Sequence, residues 1–92
     1  MMSTTSVGTT AVEVLPPPAN GAYKFVAISN VGSEECFIKV VPDTTALTAT
    51  NGIPLSSGAS FVVDQDAQRE MFDAGASAIT ASGTTSIAVQ AF

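Results

Sequence analysis

Only a handful of side chains in this sequence have the chemistry for catalysis or ligation. Cys36 is the single cysteine. A reactive thiol needs an electropositive setting to ionise, yet the preceding residues are Glu34 and Glu35. Cys36 also alternates with Ile38 and Val40, which reads as a small buried hydrophobe. Asp64, Asp66, Glu70 and Asp73 offer hard oxygen ligands, but their spacing matches no EF-hand loop and lacks its glycine. They read instead as a solvated or partner-facing acidic edge, with Asp64, Asp66 and Glu70 as candidate contacts. Two such carboxylates flanking a glycosidic bond would suit a hydrolase. The chain, however, has no Trp and only Tyr23 as a phenol to build a sugar cleft. Lys24 and Lys39 stand alone in strand-like runs and read as charges that protect sheet edges.

Histidine is absent, which removes the commonest general base, the commonest zinc ligand and every Ser-His or Cys-His dyad. Neither glycine-rich phosphate-cradling pattern occurs. No catalytic residue, metal ligand or cofactor is therefore expected, and the chain reads as non-enzymatic. The net charge of -5 opposes binding to nucleic-acid phosphates and to anionic lipid. Met1 to Thr10 has no basic n-region and no apolar h-region, and no run is long enough to span a bilayer. With its lone cysteine, the chain is expected to be soluble and to fold in a cytosol.

These residues must be positioned by short β-favouring runs, because turn residues interrupt the sequence too often for helices. Hydrophobic residues make up 46% of 92 positions and charged ones only 12%, about half the usual share, so one small core with a sparsely charged surface is expected. A first run, Val7 to Leu15, ends at Pro16-Pro17-Pro18. Asn20-Gly21 leads into Ala22 to Asn30, with Val26 and Ile28 on one face. Glu34 to Val41 follows, with Cys36, Ile38 and Val40 opposite Phe37, Lys39 and Val41. Ala46 to Leu55 carries Asn51-Gly52 and Pro54 and reads as a kinked edge segment or an irregular connection that turns at the Asn-Gly step. Ala59 to Val63 is a strand, and residues 64–72 hold one helical turn that Asp66 caps. Ser77 to Ala81 and Thr85 to Ala91 complete the chain, with Ile87 and Val89 facing inward.

About seven or eight short strands in one domain predict an all-β fold, a small antiparallel β-sandwich that is jelly-roll-like. The predicted core is Val12, Val14, Val26, Ile28, Ile38, Val40, Phe61, Ile79, Ile87 and Val89. Residues 7–92 are expected to form that domain and residues 1–6 a flexible arm. The uncharged stretches Thr44–Val63 and Ala74–Phe92 suggest surface that a partner covers.

The order Val-Ala-Ile-Ser-Asn-Val-Gly (26–32), Cys-Phe-Ile-Lys-Val (36–40), Thr-Ala-Thr-Asn-Gly-Ile-Pro-Leu-Ser-Ser-Gly (48–58), Ala-Ile-Thr-Ala-Ser-Gly-Thr-Thr (78–85) and Ile-Ala-Val (87–89) resembles small β-sandwich structural proteins of tailed bacteriophages. That group includes capsid decoration (cement) proteins and head or tail fibre modules. The resemblance implies a virion component, assembled in the host cytoplasm, that binds the major capsid protein and stabilises the outer surface of a phage head. The alternatives are a neck or tail-fibre module and a carbohydrate-binding β-sandwich, which would need several exposed aromatics. Shell geometry further implies a homo-oligomer, with a trimer favoured by local threefold positions. The polar residues Ser3, Thr4, Thr5 and Ser6 are the expected arm contacts to a neighbour, alongside the acidic edge.

Overall fold

A computed structural model of the chain describes residues 2–16, 23–39, 47–48, 52–64 and 75–92. Among them lie eight strands: β1 (Met2–Val7), β2 (Val12–Leu15), β3 (Phe25–Asn30), β4 (Cys36–Lys39), β5 (Ile53–Leu55), β6 (Ser60–Asp64), β7 (Ala76–Thr80) and β8 (Thr85–Ala91). Alternation explains most of them. In β3 the pleat sends Val26, Ile28 and Asn30 inward, and in β8 it does the same for Thr85, Ile87, Val89 and Ala91.

The strands form two four-stranded sheets, ordered β1-β8-β3-β6 and β2-β7-β4-β5. Every pairing is antiparallel. The partners are nested: β1 with β8, β2 with β7, β3 with β6 and β4 with β5. The chain thus behaves as one long two-stranded ribbon, and the β3–β8 and β4–β7 pairings roll it into two layers. That is the strand order of a jelly roll, so the expected all-β sandwich is what the chain forms. Its core takes Val7, Val26, Ile28, Ile87 and Val89 from the first sheet and Val14, Leu15, Cys36, Ile38, Leu55, Ala76 and Ala78 from the second.

Several expectations change. Val7 to Leu15 is not one strand: β1 stops at Val7 and β2 starts at Val12, in the other sheet. Residues 2–6 are no free arm, because they are most of β1 and pair in register with β8, from Met2 opposite Gln90 to Val7 opposite Thr85. The physical reason is that β8 offers a free ladder on that side, and Thr-rich chain is well suited to fill it. Val14, Val26, Ile28, Ile38, Ile79, Ile87 and Val89 are buried as expected, while Val12 and Phe61 are half-buried against the core. A register shift in β2 between Glu13 and Leu15 turns both Val14 and Leu15 inward. Lys39 does not guard an edge, since β4 lies between β7 and β5. The edge strand β5 carries Pro54, opposite Phe37. Asp64, expected to begin a helical turn, instead ends β6; Val40 and residues 65–72 of that expected turn lie outside the described residues.

One buried side chain ties the layers together at one end. Asn30, fully buried at the end of β3, donates through Nδ2 to the carbonyls of Glu34 (2.7 Å) and Leu55 (2.8 Å). Its Oδ1 accepts from Thr85 Oγ1 (2.6 Å) and from the Gly32 N–H (3.2 Å). Its backbone accepts from Gly58 N–H at 2.8 Å and donates to the Ala59 carbonyl at 3.0 Å. Gly32 is required beside it: a Cβ there would collide with Thr85 Oγ1 and lie 2.7 Å from the Ser86 nitrogen. Gly58 has φ of 82° and Gly83 φ of 70°, conformations that glycine adopts without strain. They turn the chain between β5 and β6 and between β7 and β8.

Asn30→Asp sets a carboxylate oxygen against two carbonyls in place of a donor. It should cost about 3 kcal/mol or more at neutral pH, read as a lowered urea midpoint. Ile87→Ala should cost about 2–5 kcal/mol by the loss of buried volume. An Asn30→Asp protein as stable as the parent would show that the amide is not holding the junction.

Candidate functional site

The two sheets differ in how their outer faces are finished. In the second sheet, β7 is buried along its whole length, Ser77 and Ile79 included. Leu47, itself buried, approaches Gly52 beside Phe37, where a Cβ would lie 3.0 Å from Leu47 Cδ1 and 2.8 Å from Phe37 Cβ. The first sheet is open. Its outward positions are Met2, Thr4 and Ser6 on β1, Ser86, Ala88 and Gln90 on β8, Ala27 and Ser29 on β3, and Ser60 and Val62 on β6. Ser29 and Ser60 share a hydrogen bond between their hydroxyls at 2.8 Å. Beyond the strand end, Phe92 stacks on Phe25 with ring centroids 5.3 Å apart.

This face carries almost no charge. The only ionisable residue in its four strands is Asp64, the last residue of β6. Met2 is 77% exposed, Phe92 71% and Val62 47%, so large apolar groups rim a surface of small neutral ones. An open depression of about 430 Å³ crosses it, lined by Met2, Ser3, Thr4, Ala27, Ser29, Ala88, Val89 and Gln90. The small side chains of Ala27, Ser29 and Ala88 leave that space. Neutral, low-entropy side chains lose little when covered, and the scarcity of ionic groups among the described residues of this face lowers the main desolvation cost. Such a face suits contact with another protein surface.

The expected interface residues divide. Ser3, Thr4, Thr5 and Ser6 do share one element, β1, with Thr4 and Ser6 exposed and Ser3 and Thr5 half-buried. Asp64 belongs to β6, at the opposite edge of the same sheet, with β8 and β3 between them. Strand spacing puts those edges roughly 14 Å apart, so the two groups form no joint cluster. Asp66, Glu70 and Asp73 lie outside the described residues. Inward Ile87 and Val89 imply that Ser86, Ala88 and Gln90 of β8 face outward, but the sequence does not mark Ala27, Ser29 and Val62 as sharing that face. The alternation of β3 held that signal; the side-by-side order of β8, β3 and β6 did not show in it.

Cys36 is buried in β4. Burial pushes its thiol up to about 11, with a further push from the Glu35 carboxylate. A thiol held neutral is a poor nucleophile and a poor metal ligand. Tyr23 is similarly raised, by burial and then by Glu13, and its hydroxyl donates to the Pro16 carbonyl at 2.6 Å. Among the described residues no three Cys, Asp or Glu side chains come together as a metal site, and no helix is long and apolar enough to cross a membrane. Comparison with family models, curated proteins and solved structures finds no match to this chain.

The raised thiol has a signed consequence. Between its ordinary value of 9.0 and about 11, the unfolded chain releases this proton and the folded chain keeps it. Stability from this group is therefore complete below pH 9 and is lost as pH rises through that window. Cys36→Ala should flatten the decline in urea stability between pH 9 and 11 relative to the parent. In the native parent at pH 8, iodoacetamide should label Cys36 at least tenfold more slowly than in urea. Equal labelling rates would mean the thiol is open to solvent.

Proposed function

We propose that this chain is a non-enzymatic virion structural protein, a capsid decoration (cement) protein that seats on the major capsid protein and stabilises the outer surface of a phage head. The observation that carries the reading is the open, nearly uncharged outer face of β1-β8-β3-β6 in a chain of net charge -5. A protein that works by covering a neighbour needs a broad neutral contact surface, while its remaining charge keeps it soluble before it docks. The jelly-roll order supports the reading at the level of fold alone, since that architecture also serves unrelated functions. The sequence resemblance to phage sandwich proteins supplies the class of shell. A chain without histidine, whose one thiol is buried and held neutral, supports a role in binding rather than in turnover.

Seating on a shell would place Ala27 and Ala88, at the middle of the face, against the capsid protein. A carboxylate at either position introduces a charge that docking must strip of water, with little effect on the free fold because both positions point outward. Assembly in the host cytoplasm agrees with the single cysteine, which needs no oxidising compartment.

The experiment is a copy count. In purified particles, this protein should be present in hundreds of copies, at a constant ratio to the major capsid protein. A dozen or fewer copies would assign it to the neck or tail, and absence from the particle would overturn the virion reading. Ala27→Glu and Ala88→Glu proteins should keep the parent's melting temperature within about 3 °C yet bind particles at least tenfold more weakly. Undiminished binding by both would remove this face from the proposal.

A further inference from the structure

The edge of the same sheet carries a second inference, distinct from its face. Among the described residues four strands are sheet edges: β1, β6, β2 and β5. Edge strands expose unpaired backbone groups, and proteins blunt them with charge or proline. β2 has Glu13, β5 has Pro54 and β6 ends in Asp64, whereas β1, Met-Ser-Thr-Thr-Ser-Val, has neither device. It is also the longest of the four.

The backbone hydrogen bonds show which groups β1 leaves open. Phe25 and Phe92 exchange both bonds, at 3.0 Å each, and Val31 N–H donates to the Ser86 carbonyl at 2.9 Å. Antiparallel pairs alternate between bonded and non-bonded, so the register makes Ala27–Gln90 and Ser29–Ala88 bonded pairs. Residues 86, 88 and 90 therefore aim their backbone at β3, and Thr85, Ile87 and Val89 aim theirs at β1. Their partners Val7, Thr5 and Ser3 are spent on β8. The N–H and C=O groups of Met2, Thr4 and Ser6 point out of the sheet.

That pattern is self-complementary. We propose that β1 pairs antiparallel with β1 of a second copy about a twofold axis through Thr4, joining two sheets into one of eight strands. In this register Thr4 faces Thr4, and Met2 faces Ser6 in both directions. All three open residues then bond through both backbone groups, and inward- and outward-facing side chains stay on their own faces. A register one residue away would turn core-facing positions of one copy toward solvent-facing positions of the other. The inner face adds support: Ser3 Oγ is buried without a hydrogen-bond partner, and the twofold sets Thr5 of the second copy directly across from Ser3. Two chains of net charge -5 repel, and an uncharged edge is where they can meet at least cost. Edge pairing relates two copies, so a twofold dimer takes the place of the trimer suggested by shell symmetry.

One strand pair buries less than the standard interface, so the dimer should dissociate at micromolar concentrations. Sedimentation velocity from about 1 μM to 1 mM should show monomer passing to dimer. Thr4→Lys sets like charges directly opposite each other and should abolish the dimer with the melting temperature unchanged, while Ser60→Lys on β6 should leave it intact. Under mild oxidation Thr4→Cys should give a disulfide-linked dimer and Ser6→Cys should not, because only position 4 meets its own copy across the axis. A protein monomeric throughout, a trimer, a dimer that survives Thr4→Lys, or equal cross-linking at both positions would overturn the proposal. Particle binding is read separately through Ala27 and Ala88, so failure of one inference leaves the other standing.

Discussion

A buried amide must satisfy every one of its hydrogen-bonding positions, and that requirement at Asn30 organises one end of the molecule. Its two donors and its acceptor oxygen reach the β3–β4 connection, β5 and the start of β8. The first and last of these belong to one sheet or its exit, and β5 belongs to the other. The side chain therefore sets the relative height of the two layers where apolar packing alone would let them slide. Gly32 must stay bare for the same junction to close, and Ser57 Oγ, 2.6 Å from the Gly32 carbonyl, fastens the β5–β6 turn to it. In a low-dielectric interior a complete polar network is specific because each missing bond is costly.

From that junction the two layers serve different ends. The β2-β7-β4-β5 sheet has β7 enclosed on both sides and takes up the one cysteine and Leu55 from its inner face. The β1-β8-β3-β6 sheet contributes Val26, Ile28, Ile87 and Val89 inward and leaves its other side to solvent. Because the pleat separates those two sets, the outer residues are free of any duty to the core. Ala27 and Ala88 can be small without opening a cavity within.

Much of this was legible from residue types. The alternation of Val26 with Ile28, of Cys36 with Ile38 and of Ile87 with Val89 is a period-two signal that needs no partner to be read. The break after Val7 was present too, since Val7 and the Val12–Val14 pair fall out of phase, but a continuous β-favouring run concealed it. Met2 to Ser6 has no apolar alternation, so only the vacancy beside β8 makes it a strand. Asn30 read only as the end of a strand, and its role depends on Thr85, 55 residues away. The candidate contacts on β1 and at Asp64 seemed combinable because linear sequence carries no information on which strands lie at opposite edges.

The nested pairing also governs how such a chain can be built. Bringing β1 to β8 directly would close a loop of nearly the whole chain, whereas each inner pair, once formed, leaves only a short segment to close before the next. Loop-closure entropy therefore favours growth outward from β4 and β5, with the two ends meeting late. A sheet assembled in that order depends on distant contacts and folds on the slow side for its size, in milliseconds to seconds. In that order the ladder on the outer side of β8 is the last to be filled, and the strand that fills it is β1.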